Sequence, residues 1–375
     1  MSAPPQILIS AGEASGDMYA ARLARALQAR THAHLFGMGG PQMREAGVEI
    51  VADASEIAVV GITEVWHRLP AVWRAWRKLE REAVRRKPAL AITVDSPGFN
   101  FGLARRLKKH GVRNVYFISP QIWAWRPGRM RWIQRRFERV LVIFPFEETI
   151  YRKAGVAVDF VGHPLVDSVR AQMTREQFAA KFGLDAKRPI VSLLPGSRPS
   201  EIRRSMPVIA EACARLQKER GVRFALAVAP GLDERIFDAY ERSDLRVTRV
   251  AGAVYDTLAA GDCAIVSSGT ATVEAALLGT PMVVVYRLSG PTAAIARRLI
   301  VTPLFAMVNL IPGRQVVPEL IQERFTAENL TREVGQLLDS SEVREQQKRG
   351  LAEVRLKLGP GGAIERAAAI IAGML

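Results

Sequence analysis

Short apolar runs alternate along the chain with longer stretches of helical spacing. Residues 7–11, 34–40, 89–95, 114–120, 140–144 and 158–167 carry runs of strand length in the first half. A continuous apolar run of four to eight residues between turn signals suits a strand covered on both faces. Helical patterns fall between them: Asp17 to about Ala29, Pro70 to about Arg86, the turn 96–100 onward to about Gly111, the stretch carrying Arg129, Arg131, Arg135 and Arg136, and residues 145–154. The pattern starts again at residue 189. An apolar run to Leu194 leads into a Gly/Ser turn and a helix, and further strands are predicted at 224–229, 263–267 and 281–287. Two successive units of strand, turn and helix predict an α/β protein.

Boundaries follow from the same pattern. Residues 168–188 are helical and charged and read as a connection between domains. Residues 308–314 read as a loop, and Pro318 to Gln322 as the start of another helix. Gly359-Pro-Gly-Gly interrupts the chain before an apolar helix at 363–372, which by analogy with two-domain sheets crosses back onto the first domain. The expected division is 1–167, completed by 360–375, and 168–359.

Charge sharpens this picture. The chain of 375 residues carries a net charge of +16. Between Trp66 and Arg139 there are 19 Lys/Arg against four acids, Glu80, Glu82, Asp95 and Glu138, so nearly all of the excess lies there. All six tryptophans share that window: Trp66, Trp73, Trp76, Trp123, Trp125 and Trp132. In the 70–86 helix, Val72, Trp76, Leu79 and Ala83 fall on one face, with Arg74, Arg77, Lys78, Arg81 and Arg85 over much of the remainder. Such a surface suits an anionic membrane or nucleic acid, or is a solvated face over core tryptophans. The unusually apolar stretch 57–65 before it favours lipid. The N-terminal sequence lacks a basic and then apolar leader, and no apolar run reaches the roughly 18 residues of a spanning helix. Cys213 and Cys263 argue against a disulfide framework and fit a reducing compartment.

Candidate chemistry sits at the predicted strand ends. Glu13 lies in the small-residue turn 12–16, where a carboxylate has little packing purpose. Asp17 opens the following helix and complements its N-terminal N–H groups and dipole. Asp95 ends the 89–95 strand and reads either as a helix cap or, with Glu13 at the equivalent end of another strand, as half of an acid/base site. Gly196-Ser197-Arg198 and Ser268-Gly269-Thr270 each follow a strand and precede a helix, a place where backbone N–H groups hold phosphate. Glu274 can accept two ribose hydroxyls, or it merely complements a helix dipole. His163 reads as near the domain junction, structural or catalytic. No His, Cys or acid cluster has metal-ligand spacing. The spacing at the N-terminus is not G-x-G-x-x-G, so no dinucleotide cofactor is expected.

Six stretches, in order, resemble the lipid-A-disaccharide synthase family: Ala11-Gly-Glu-Ala-Ser-Gly-Asp17, Trp123-Ala-Trp-Arg126, Phe160-Val-Gly-His-Pro164, Leu194-Pro-Gly-Ser-Arg198, Ser268-Gly-Thr270 with Glu274, and Asn309 with Val317-Pro-Glu-Leu320. The resemblance implies a GT-B fold, two Rossmann-like domains facing each other across a cleft. It implies inverting, metal-independent transfer of 2,3-diacylglucosamine from UDP onto 2,3-diacylglucosamine 1-phosphate, giving a β-1,6-linked disaccharide phosphate and UDP. Asp95 is the implied base, and Glu13 positions the acceptor or assists. Ser15 and Gly16 touch substrate, Gly196, Ser197, Arg198, Ser268, Gly269 and Thr270 hold the departing diphosphate, and Glu274, Asn309 and Gln322 bind uridine or ribose. Gly98 departs from the family, where many relatives carry a second acid. The implied partners are the two acylated sugars and the cytoplasmic face of the inner membrane, bound peripherally, with no nucleic acid; a homodimer is compatible. Two rivals stand beside this reading. A UDP-N-acetylglucosamine epimerase of the same fold has no need of the lipid-facing window, and a nucleic-acid binder leaves the nucleotide-sugar turns unexplained.

Overall fold

A computed structural model of the chain describes residues 4–56, 65–120, 127–288 and 304–375. It divides into two compact units, Met1–Pro164 with Gly359–Leu375, and Leu165–Leu358.

The first unit holds seven parallel strands: β1 (Gln6–Ala11), β2 (His34–Gly39), β3 (Glu49–Asp53), β4 (Leu90–Val94), β5 (Asn114–Phe117), β6 (Arg139–Val142) and β7 (Val158–Phe160). Their order is β3-β2-β1-β4-β5-β6-β7. Ile7, Leu8 and Ile9 are fully buried, as strands sandwiched between helix layers must be. Gly37 lets β2 lie close to β1, because a Cβ there would stand 1.9 Å from the Ile9 carbonyl oxygen. The second unit has six strands: β8 (Ile190–Leu194), β9 (Arg223–Val228), β10 (Val247–Ala251), β11 (Cys263–Ser267), β12 (Met282–Tyr286) and β13 (Glu319–Ile321). Their order, β10-β9-β8-β11-β12-β13, is also parallel throughout. Each sheet reverses its direction of growth once, at β1/β4 and at β8/β11. In doubly wound sheets ligands bind outside the carboxyl ends of the strands at that reversal.

The helix Ala363–Ala372 belongs to the first unit and packs on the helix Ala14–Thr31. Arg30 pairs with Glu365 at 2.8 Å, and the Arg366 guanidinium donates twice to the Val161 carbonyl, at 2.9 and 2.7 Å.

Four local expectations change. The helix carrying the basic face spans Val65–Arg86 and keeps Pro70 inside it. So close to the N-terminus, the missing proline N–H forfeits one intrahelical bond, and the apolar stripe of Ala75, Leu79 and Ala83 still buries itself on the sheet. Asp17 lies within its helix, and its carboxylate accepts from the backbone of Gly40 (2.7 Å), Gln42 (3.0 Å) and Met43 (3.2 Å). It therefore caps the short helix Pro41–Glu45, whose glycine N-cap has no side chain of its own. Residues 168–188 are not a free connection. The helix Arg175–Phe182 buries Phe178 against Ile190, Ala225 and Val250, and Arg175 pairs with Asp262 at 2.9 Å. Residues 319–321 form edge strand β13 rather than a helix; Pro318 stands just before it, where its carbonyl accepts from Val284 and its missing N–H costs nothing. The expectations at 57–64 and 121–126 lie outside the described residues.

Candidate active site

In the first unit the reversal brings Glu13 and Asp95 to neighbouring strand ends, since Ala11 of β1 pairs with Val94 of β4. Glu13 is exposed and serves as N-cap of Ala14–Thr31, and Asp95 is half-buried. Gly16 lies beneath the Asp95 turn: a Cβ on it would stand 3.7 Å from the Val94 carbonyl and 4.0 Å from the Asp95 Cβ. Ser15 is exposed beside it. Asp95 and Ser96 both take left-handed backbone, at φ 47° and 44°, a conformation that costs a non-glycine residue energy.

Two residues that the sequence did not single out as functional hold this turn. Asn100 is fully buried; its amide donates to the Asp95 carbonyl at 2.7 Å and the Val94 carbonyl at 3.1 Å, and accepts from Ser10 Oγ at 2.8 Å. Tyr116 donates its hydroxyl to the same Asp95 carbonyl at 2.7 Å. Burial first, then the Asp95 charge, raises the Tyr116 phenol well above its usual range, so it stays a donor. The backbone of Gly12 is tied to Ser96 Oγ at 3.2 Å, joining the two turns. Neither Asn100 nor Tyr116 has a sequence signature; only pairing of β4 with β5 brings the tyrosine to the turn.

In the second unit a cavity of about 650 Å³ opens at the carboxyl ends of the strands. Its walls include Gly196, Ser197, Arg198, Ser268, Gly269, Thr270 and Glu274, so seven of the predicted binding residues meet in one place. Tyr255, Tyr286 and Glu201 join them and carried no sequence signal. The two turns differ. The helix Thr270–Leu278 starts with no side-chain cap and no acid in its first turn, which leaves its N-terminal dipole for a ligand. At the other turn, Glu201 Oε2 accepts from the backbone of Ser197 at 3.3 Å and Arg198 at 3.4 Å, and its Oε1 meets Arg198 Nη1 at 3.3 Å. In this structure a carboxylate of the chain itself meets those amides, and the Arg198 guanidinium is exposed beside them. Gly196 permits this cap, because a Cβ would stand 2.7 Å from Glu201 Oε2.

Glu274 lines the cavity from the second turn of its helix, past the reach of a first-turn dipole contact. Burial raises its carboxyl above the usual range, and the Tyr255 hydroxyl at 3.2 Å offsets part of that rise. Asn309 and Gln322 do not line this cavity. Asn309 is fully buried, donating to Val317 O at 2.9 Å and Glu319 Oε1 at 2.7 Å and accepting from Val316 N at 2.7 Å and Val317 N at 3.0 Å. These bonds give it a structural task, shaping the 309–319 loop. Gln322 follows β13 with left-handed backbone, φ 53°. His163 is buried, and burial pushes its imidazole down to about 3, so it is neutral at ordinary pH. Among the described residues no group of three or more His, Cys, Asp or Glu could hold a metal ion.

Two doubly wound parallel sheets, each with its turns at the reversal, make up the GT-B fold. The solved structure of CalG4, the calicheamicin glycosyltransferase, matches 99% of this chain and 98% of its own length with a TM-score of 0.62 at 15% identity. A UDP-GlcNAc 2-epimerase from Neisseria meningitidis bound to UDP-GlcNAc matches 98% of each chain with a TM-score of 0.66 at 13% identity. At such identities the likeness is one of fold, shared by transferases and epimerases. Sequence decides between them: the lipid-A-disaccharide synthetase family model matches residues 7–371. The lipid-A-disaccharide synthase of Geobacter sulfurreducens is 45% identical over 373 residues, 99% of this chain and 97% of that protein. The chain belongs to the lipid-A-disaccharide synthase family.

Proposed function

We infer that the chain is a hexosyltransferase that joins UDP-2,3-diacylglucosamine to 2,3-diacylglucosamine 1-phosphate. The products are the β-1,6-linked disaccharide 1-phosphate and UDP. The structural observation that carries this reading is the cavity where an uncapped helix N-terminus, Arg198 and the half-buried Glu274 converge. Those groups suit a nucleoside diphosphate: N–H groups and a guanidinium for the phosphates, a carboxylate for ribose hydroxyls.

Inversion requires the acceptor hydroxyl to attack the anomeric carbon from the face opposite the diphosphate. The new C–O bond forms as the bond to the β-phosphate oxygen breaks. Asp95 takes the hydroxyl proton, and Asn100 and Tyr116 fix the turn that aims it. Glu13, Ser15 and Gly16 position the acceptor. Ser268, Gly269, Thr270 and Arg198 offset the charge that develops on the departing UDP. Peripheral membrane contact belongs to the same reading. Among the described residues no helix is long and apolar enough to cross a membrane. The Val65–Arg86 helix instead exposes Leu69 (48%) and Trp73 (44%), with Arg77 stacked 3.5 Å over the tryptophan ring and Arg74 and Lys78 exposed beside them. Aromatic and cationic groups of that kind suit an anionic interface.

The test is a mixed-micelle assay with both acylated sugars, with and without EDTA. UDP and disaccharide in equal amounts support the reaction, and their persistence in EDTA supports metal independence. No product from a folded sample that binds UDP would refute it. Asp95→Asn is expected to abolish turnover while UDP binding survives; an active variant removes Asp95 as the base.

A further inference from the structure

The second unit has another cavity, of about 340 Å³, which shares no wall residue with the nucleotide cavity. Its floor is apolar. Leu193 of β8, Leu226 of β9, and Met206, Ile209 and Cys213 of the helix Pro199–Arg220 line it and are all buried. Its roof is the chain between β9 and β10. There Glu234–Tyr240 forms a 3-10 helix of seven residues, and Phe237 is buried in the same apolar cluster as the floor. Runs of that length are uncommon, because the i to i+3 hydrogen bonds have poorer geometry and side chains three apart eclipse. A roof held by such bonds opens more readily than an α-helix would. Protein interiors rarely leave apolar space larger than a water molecule unfilled. An apolar cavity of about 150 Å³ admits benzene, and this one has about twice that volume.

The mouth of this cavity is cationic. Arg242, Arg246 and Arg249 stand at it with one acid, Glu241. Arg242 pairs with Asp244 at 2.8 Å, and Arg249 pairs with Asp238 at 2.7 Å and with Glu241 at 2.6 Å. The acids at the mouth are thus committed to two of the three arginines. Arg246 is exposed, and among the described residues its guanidinium has no carboxylate partner. Its backbone, by contrast, is held. Gln217, on the floor helix, accepts from the Arg246 amide at 2.9 Å and donates to the Asp244 carbonyl at 2.9 Å. An anchored cation therefore stands at the opening of an apolar space.

We propose that this cavity binds a single-chain amphiphilic anion of the fatty-acid class, with its carboxylate on Arg246 and its chain against Met206, Ile209 and Phe237. A guanidinium meets a carboxylate with two parallel charge-assisted hydrogen bonds. The buried floor takes the chain out of water, and the gain grows with the apolar area covered. One unpaired cation matches one negative charge, and the volume matches one short chain rather than two. The site does not depend on the transfer reaction inferred above or on the nucleotide cavity.

The experiment is calorimetric titration of the full-length protein with octanoate, octanol and octyltrimethylammonium, each below its micelle concentration. The wild type is expected to bind octanoate saturably with one site, octanol more weakly and the cation most weakly. Arg246→Gln raises the octanoate Kd about tenfold and leaves octanol unchanged, and Arg246→Lys recovers part of the loss. Ala210→Phe directs a ring into the cavity from the floor helix and removes binding of both octanoate and octanol. Thermal melts check that each variant folds. Arg246 has no side-chain partner to lose among the described residues, so its two variants decide the matter even where Ala210→Phe fails to fold. No saturable octanoate binding by the wild type overturns the proposal. So does an octanoate Kd within twofold of wild type in Arg246→Gln, which would put the chain elsewhere, and so does binding of the cation as tight as that of octanoate.

Discussion

Glu274→Gln tests the nucleotide cavity because it sets stability against affinity. The side chain is half-buried and accepts a hydrogen bond from the Tyr255 hydroxyl at 3.2 Å. Burial raises its carboxyl, so the folded state holds its proton more tightly than the unfolded chain does. The associated stability is fully present below the unfolded carboxyl value and is lost as pH rises through the raised folded value. Where the carboxyl is ionised, burial leaves it ill-solvated, and the neutral amide removes that cost. Bound ribose reverses the balance. Two vicinal hydroxyls give a carboxylate two charge-assisted hydrogen bonds, and exchanging them for neutral ones loses about 1–1.5 kcal/mol each. The sum, about 2–3 kcal/mol, is a loss of roughly 30- to 150-fold in UDP affinity. Calorimetric titration with UDP measures the affinity, and thermal melts of ligand-free protein at pH 7 measure the stability. The expected result is weaker UDP binding in a variant whose ligand-free melting temperature is unchanged or higher. UDP affinity within twofold of wild type would remove Glu274 from the nucleotide site.

Arg198→Ala is expected to weaken UDP binding about tenfold, since one charge-assisted phosphate contact is worth about 1.5 kcal/mol; unchanged affinity by the same titration excludes the residue. Asn309→Ala strips partners from the half-buried Val316 and buried Val317 amides and from Glu319. About 2–4 kcal/mol of unfolding free energy should be lost, read by urea denaturation, and a loss below 1 kcal/mol refutes the structural role. His163, held down to about 3 against an ordinary value near 6.5, binds its proton more readily in the unfolded chain. Its stabilising effect is present above about 6.5 and drains as pH falls toward 3, by about 2 kcal/mol between pH 7 and pH 5. Denaturation at the two pH values should show a smaller drop in His163→Phe than in wild type; equal drops refute the assignment.

What the sequence revealed divides along physical lines. β1, β4, β8 and β11 are buried on both faces, so each is a continuous apolar run, and the turn that follows each is rich in small residues. The strands at both reversals were therefore legible, together with the residues that follow them: Glu13, Asp95, Gly196 to Arg198 and Ser268 to Thr270; their order in the sheet was not. β10 was not, because its Thr248 and Arg249 are half-exposed at a sheet edge and break the apolar run. β13 is three residues long, too short for a period of two to be told from one of 3.6. Asp17 carries a sound capping signal whose target is another helix 23 residues on, and only packing reveals it. Asn100, Tyr116, Tyr255 and Glu201 act through contacts set by strand pairing or cavity shape, which no local pattern encodes.

Backbone strain gives these edges a common logic. Among the described residues six non-glycine positions have positive φ: His32, Lys87, Asp95, Ser96, Ile118 and Gln322. His32 and Lys87 directly follow helices, where left-handed backbone is an ordinary way to stop. The other four follow β4, β5 and β13 at their carboxyl ends. Each costs on the order of 1 kcal/mol and persists only where the surroundings over-determine it. At Asp95 the determinants are visible: the Asn100 amide and Tyr116 hydroxyl both grip its carbonyl, so the turn is set without help from a substrate. At Gln322 the strain accompanies a buried Nε2 that has no hydrogen-bond partner among the described residues. Burying an amide donor unpaired costs a further 1–3 kcal/mol or so, which folding alone would not select. A ligand oxygen would recover it. On that ground we propose Gln322 as a binding residue, although it lies off the walls of the nucleotide cavity.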